Sequence, residues 1–209
     1  NLAAPLSDAD ATIQPHPDAS PAKWHLAHTT CFFETFILRD HVPGYRLHDE
    51  RWPFLFNSYY EGEGERHARP RRGMLSRPSL DEVRDWRAKV DDALQAALPS
   101  LPAEALSLVE LGIHHEQQDQ ELFLTDILAT LAENPLEPAY GMLDPAPCYA
   151  VEPLGWIEGR EGLADIGAPN VSFTFDCERP RHQSLLHPHR IAVRCVTNGE
   201  WMQFIEDGG

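Results

Sequence analysis

Residues 112–121 read Gly-Ile-His-His-Glu-Gln-Gln-Asp-Gln-Glu, a polar stretch inside a run otherwise patterned as a helix. Residues four apart on a helix stack on one face, so His115 and Asp119 point the same way. Leu108, Leu111 and Leu122 fall near that face, which turns it toward an interior. A histidine and an aspartate on an interior face are costly unless they are paired or bound to a cation. Two histidines and one carboxylate form the ligand set of non-haem iron oxygenases, and the same donors suit zinc and manganese. Trp24-His25-Leu26-Ala27-His28 offers the further histidine on a separate helix; the two are three apart, share a face, and only one need ligate. Glu116 and Glu121 are carboxylates able to orient a ligand imidazole through its second nitrogen. The competing reading is a surface His–Asp pair. Two polar clusters on separate helices, each within an apolar stretch, favour the metal.

These side chains need a bundle to hold them. Residues 1–19 read as a polar, proline-containing lead-in. Ser20-Pro21 predicts a helix start, with Ser at the N-cap and Pro at the first position, and the helix over 22–38 ends before Pro43-Gly44. Residues 44–78 form a long connection rich in Gly, Pro, Arg and aromatics, a length uncommon for a loop without a task. Ser79-Leu-Asp-Glu82 is a capping box that opens a helix to Leu98. Pro99 and Pro102 bracket a turn, and a long helix follows over 103–132. Residues 135–153 hold five prolines (135, 138, 145, 147 and 153) and read as a linker. Beyond it, 171–175 and 190–194 alternate like strands, and Asn198 caps a short helix over 199–205. The expected organisation is a helical bundle over 1–134, a linker over 135–153, and a further segment over 154–209. That last segment has little continuous apolar sequence and is marginal as a unit by itself.

The chain of 209 residues carries 17 basic and 33 acidic residues, a net charge of −16. That argues against a nucleic-acid partner, which needs a basic footprint, and against an anionic membrane surface. No run of about 18 apolar residues predicts a membrane span. The four cysteines (Cys31, Cys148, Cys177, Cys195) form no C-x-x-C pair. Free thiols in a reducing, cytoplasmic setting are the expectation. Tyr59 and Tyr60 are candidates to line a pocket or to pack a loop. His182, His187 and His189 fit no standard ligand spacing, and Cys177 and Cys195 lack a neighbouring base.

Several of these segments are similar to one family. Asp18-Ala-Ser-Pro-Ala-Lys-Trp-His-Leu-Ala-His-Thr-Thr-Cys-Phe-Phe-Glu-Thr-Phe36 resembles the opening helix of the ergothioneine-biosynthesis sulfoxide synthases. His114-His-Glu-Gln-Gln-Asp-Gln-Glu-Leu-Phe-Leu-Thr-Asp126 resembles their metal-binding helix. Phe56-Asn-Ser-Tyr-Tyr60, Arg69-Pro-Arg-Arg-Gly-Met-Leu-Ser-Arg-Pro78 and Val196-Thr-Asn-Gly-Glu200 are similar to further family segments, so the likeness runs along nearly the whole chain. The resemblance implies a mainly α fold: a DinB-like four-helix bundle, then the incomplete first part of an α+β domain like the formylglycine-generating enzyme. It implies a mononuclear non-haem Fe(II). It also implies oxidative C–S bond formation between a thiol (γ-glutamylcysteine or cysteine) and trimethylhistidine with dioxygen. Carried over by position, the metal ligands are His28, His115 and Asp119, with Glu121 in support. Within the basic island 66–77, Arg69 and Arg72 are the candidates to bind the carboxylates of the thiol substrate, since Arg forks suit carboxylates; the plainer reading is a solvated loop neutralising nearby acids.

Two departures stand out. The family has His-x-x-x-His-x-Glu where this chain has His115-x-x-x-Asp119-x-Glu121; Asp is shorter and anionic, which alters the geometry and lowers the potential of a bound iron. Cys31 stands where the family has Trp. The family's second domain, with its catalytic tyrosine, continues past the position of Gly209, so the expectation is a truncated version of the two-domain chain. Two alternatives follow: a degenerate metal-binding or interaction module without catalysis, and a DinB-type metal-dependent thiol transferase.

Overall fold

The computed structural model describes residues 2–58, 60–141 and 150–209. Tyr59, Cys148 and the middle of the proline-rich stretch lie outside the described residues. The chain divides into two compact units, residues 1–143 and 144–209.

The first unit is built around one buried helix. Helix α2 (Ala22–Phe33) starts at Pro21, and every residue in it except Leu26 is buried. This explains why its sequence shows no polar stripe: α4 and α5 both pack against it. The helix runs on as a wider π-turn over Glu34–Arg39, so the helical path ends where the sequence predicted. Helix α4 (Leu80–Ala97) opens on the expected capping box: Ser79 Oγ accepts from Glu82 N, and the Glu82 carboxylate accepts from Ser79 N. Helix α5 (Ala103–Ala132) has 30 residues, a length of about 45 Å. At Gly112 it packs tightly on α2, where an added Cβ would lie 2.6 Å from Phe33 Cε1 and 2.8 Å from Phe32 Cε1.

Three expectations for this unit are corrected. The lead-in contains a short helix, α1 (Asp8–Thr12), because Ser7 and Asp10 form a capping box of their own. The connection over 44–78 contains α3 (Trp52–Phe56) and tight 3-10 turns at Glu61–Glu63 and Arg69–Met74. Trp52 and Phe56 of α3 join Trp24, Phe32, Ile37, Val83 and Trp86 in the main core, so the connection is a packed layer. A second cluster gathers Leu6, Ala11, Leu80, Phe123 and Ile127. Leu122, expected on the inner face, is exposed, because α5 turns Asp119, Phe123 and Ile127 inward instead.

The second unit holds two antiparallel pairs. Strand β1 (Trp156–Glu158) pairs with β4 (Arg190–Ala192), Ile157 facing Ile191. Strand β2 (Gly162–Ile166) pairs with β3 (His182–Leu186), Leu163 facing Leu185. Residues 171–175 are not a strand, and α6 (Asn198–Glu206) is capped by Thr197 rather than Asn198, again through a box, with Glu200. Ala164 is the only buried apolar residue among those described in this unit, in keeping with its sparse hydrophobic sequence. No helix among the described residues is long and apolar enough to cross a membrane.

Candidate metal centre

His28 is positioned from α2 by three neighbours. Its Nδ1–H donates to the carbonyl of Phe56 at 2.6 Å. This fixes the tautomer and leaves Nε2 as the lone pair, the arrangement that metal-ligating histidines use. Trp24 stacks on the ring at 4.6 Å and 18°, and Tyr60 lies on it at 6.1 Å. Burial pushes its pKa down to about 4, so the imidazole is neutral at ordinary pH.

His115 and Asp119 face each other on α5, Nε2 to Oδ2 at 3.0 Å. The His115 ring meets His28 edge-on at 4.8 Å. One ligand atom from each of His28, His115 and Asp119 can be chosen so that all lie within 4.8 Å of one another. Among the described residues, the buried Nδ1 of His115 has no hydrogen-bond partner. A buried ring nitrogen without a partner among these residues is compatible with a lone pair shared with a cation. Burial works against the charge on Asp119, but hydrogen bonds from His115 and His25 hold its carboxyl well below the usual range. Two imidazoles, that of His28 held neutral by burial, and an ionised carboxylate on rigid helices fit a divalent transition metal.

The sequence reading left His25 as the alternative ligand to His28 and gave Asp126 no role; both belong to this cluster. His25 Nδ1 is 2.8 Å from Asp119 Oδ1, and its Nε2 is 3.0 Å from Asp126 Oδ2. Ionised carboxylates only accept, so a bond from each ring nitrogen favours the charged, doubly protonated ring of His25. Burial opposes that charge, but the bonds to Asp119 and Asp126 outweigh it and raise the pKa. Asp126 also accepts from the backbone N of Ser20 at 2.8 Å. The signal was in the spacing: Asp119 and Asp126 are seven apart, two helical turns on one face.

The other predicted residues sit elsewhere. Glu121 is exposed, and its side chain makes no hydrogen bond or ion pair among the described residues. Two positions along a helix turn it about 200° away from Asp119, and the side chain on Asp119 Oδ1 is that of His25. Glu116 pairs with Arg87 Nη2 at 2.5 Å. Arg72 is buried; it donates to Ser20 Oγ at 2.9 Å and Ser58 Oγ at 3.2 Å, and its guanidinium lies 3.3 Å from the centre of the Trp24 ring. Arg69 is exposed and donates to the carbonyl of Asp18. Tyr60 packs on Phe36 at 4.7 Å beside the site. His182, His187 and His189 form no ligand cluster among the described residues. A cleft of about 590 Å³ reaches His25 and Asp119, bounded also by Leu26, Arg87, Glu116 and Phe123 among others.

Fold and site together define a helical-bundle protein with a two-histidine, one-carboxylate cluster set between two of its helices. The chain belongs to the DinB superfamily, whose family model matches residues 1–133. Three curated relatives bear the name hercynine oxygenase. The protein from Mycobacterium tuberculosis is 32% identical over 207 residues, covering 98% of this chain and 47% of the relative. That from Mycolicibacterium smegmatis is 30% identical over 209 residues, covering 98% and 46%. That from Mycolicibacterium thermoresistibile is 29% identical over 207 residues, covering 98% and 45%. The chain thus spans about half the length of the curated relatives it matches.

Proposed function

We propose that this chain carries the metal module of a sulfoxide synthase of ergothioneine biosynthesis, with one Fe(II) held by His28, His115 and Asp119. The observation that carries the reading is the convergence of these three donors to within 4.8 Å across two helices. The reaction class comes from the hercynine oxygenase relatives. A thiol, an imidazole C–H and dioxygen give a sulfoxide and water; the thiol is γ-glutamylcysteine or cysteine, and the acceptor is trimethylhistidine. Iron, when bound, supplies a place where sulfur and dioxygen meet. The protein's part is positional. The Phe56 carbonyl keeps the His28 lone pair aimed, Asp119 offsets the charge of the cation, and Trp24 and Tyr60 keep water from the imidazole.

Arg69 and Arg72 are the proposed partners of the thiol's carboxylates. Residues 1–134 are the bundle domain, 135–153 the linker, and 154–209 the opening part of a formylglycine-generating-enzyme-like domain. The free thiols Cys31, Cys177 and Cys195 suit a reducing cytoplasm.

A second reading is a metal-binding or interaction module without catalysis. It is favoured by one observation: Asp119 is already engaged by His25 and His115 within the protein. Anaerobic loading with Fe(II), followed by oxygen uptake with γ-glutamylcysteine and trimethylhistidine, separates the two. One iron per chain and a sulfoxide product are expected. Absence of iron, not restored by Asp119→His, sinks the oxygenase reading; bound iron without oxygen uptake favours the second.

A further inference from the structure

The geometry points to His25 as the positioning residue of the metal centre: it takes Oδ1 of Asp119 so that Oδ2 alone is presented between His28 and His115. The inference rests on the metal reading given above.

Three observations carry it. First, the two oxygens of Asp119 have separate partners, Oδ1 on His25 at 2.8 Å and Oδ2 on His115 at 3.0 Å. A carboxylate held by one oxygen cannot rotate to offer both to an ion, so it enters as a one-oxygen ligand. Secondly, His25 is itself fixed at its far nitrogen, by Asp126 at 3.0 Å, and Asp126 is fixed by the Ser20 amide at 2.8 Å. The chain of bonds ends on the backbone at the start of α2, so no flexible side chain lies loose within it. Thirdly, His25 is only 5% exposed, and Phe123 packs edge-on against its ring at 6.3 Å.

His25 also answers the departure at position 119. An aspartate brings a negative charge that a histidine would not, into a site that burial makes hostile to charge. The Nδ1–H of His25 donates to Oδ1 from directly behind it at 2.8 Å, and Asp126 closes the row on the far nitrogen. Partners of this kind behind a ligand typically change metal affinity by about 10- to 100-fold. His25 touches neither the ion nor a substrate in this account; it acts through Asp119.

Co(II) is a suitable probe, because its visible bands report ligand number and geometry as well as occupancy. Asparagine at position 25 places an amide N–H near the site of Nδ1, whereas glutamine places it near Nε2. His25→Asn should keep Co(II) affinity within about threefold and keep the band shape. His25→Gln should lose about tenfold or more, with bands altered by a carboxylate free to bind through both oxygens. Equal affinities and equal spectra for the two variants overturn the assignment, as does a larger loss for His25→Asn. A purely structural role would shift unfolding midpoints and leave the spectra alike. No Co(II) binding by the unsubstituted chain overturns the metal reading together with this one, so the two failures are told apart before any variant is made.

Discussion

The indole of Trp24 lies flat on the imidazole of His28, 4.6 Å between centres and 18° between planes, with the Arg72 guanidinium 3.3 Å from the centre of the Trp24 ring. Trp24 is fixed in turn by its Nε1–H, which donates to the Leu55 carbonyl at 3.1 Å. A loop arginine, a helix tryptophan and a candidate ligand are thus one stack. Trp24→Ala removes a buried aromatic and should cost about 3–5 kcal/mol. Trp24→Phe keeps a ring on His28 and loses the N–H bond, which should cost about 1 kcal/mol plus the lost ring volume. Urea unfolding of both variants checks this; equal losses would mean that the ring contact contributes nothing.

Gly112 sets how closely α5 approaches α2, one turn from His115. A Cβ there meets Phe33 at 2.6 Å and Phe32 at 2.8 Å. Gly112→Ala gains about 1 kcal/mol of helix propensity but forces two packed rings apart, at about 1–3 kcal/mol. Net destabilisation is expected, together with weaker metal binding, since His115 moves away from His28. A more stable variant with unchanged binding would contradict the close-approach argument.

In the metal-free chain, two histidines of one helix pull the pH dependence of stability in opposite senses. His28 is held at about 4 when folded, against 6.5 when free. Between those values the unfolded chain takes up a proton that the folded chain does not, so stability falls as the pH drops from 6.5 toward 4, by on the order of 3 kcal/mol. His25 is raised above 6.5. Its contribution is complete below 6.5 and is lost as the pH rises through its folded value. Stability should therefore peak near pH 6.5. Urea midpoints at about pH 4.5, 6.5 and 8.5 test both arms; a steady rise through all three would contradict the charged state of His25.

Cys31 is buried beside Thr35, its sulfur 3.6 Å from Oγ1, and burial pushes its thiol up to about 12. At pH 8 it stays protonated, whereas the thiolate is the reactive form. Iodoacetamide should modify the exposed Cys177 and Cys195 at once and Cys31 only in denaturant. Peptide mapping by mass spectrometry reads this out; rapid labelling of Cys31 in the native chain would place it in a different environment.

The parts of the fold legible in the sequence were those with local signals. The box Ser79–Glu82 and the bracket Pro99/Pro102 marked α4 and the start of α5. The boxes at Ser7 and Thr197 were equally local and went unread, one inside a proline-containing lead-in, the other one residue before a plausible Asn cap. The alternation of 171–175 had no strand to pair with. His115 and Asp119 were legible because a helix stacks residues four apart. The bond between His25 and Asp119 was not: it spans 94 positions and depends on how α2 and α5 cross, which no spacing rule contains.

The central claim is that His28, His115 and Asp119 are the ligands of one iron. X-ray absorption at the iron edge of the anaerobically loaded chain, with and without His28→Ala, tests it most directly. The account predicts one Fe(II) per chain, with outer-shell scattering from two imidazoles that falls to one imidazole, or to no bound iron, in the variant. Iron bound with the same two-imidazole signature after His28→Ala, or no iron in the unsubstituted chain, would contradict it.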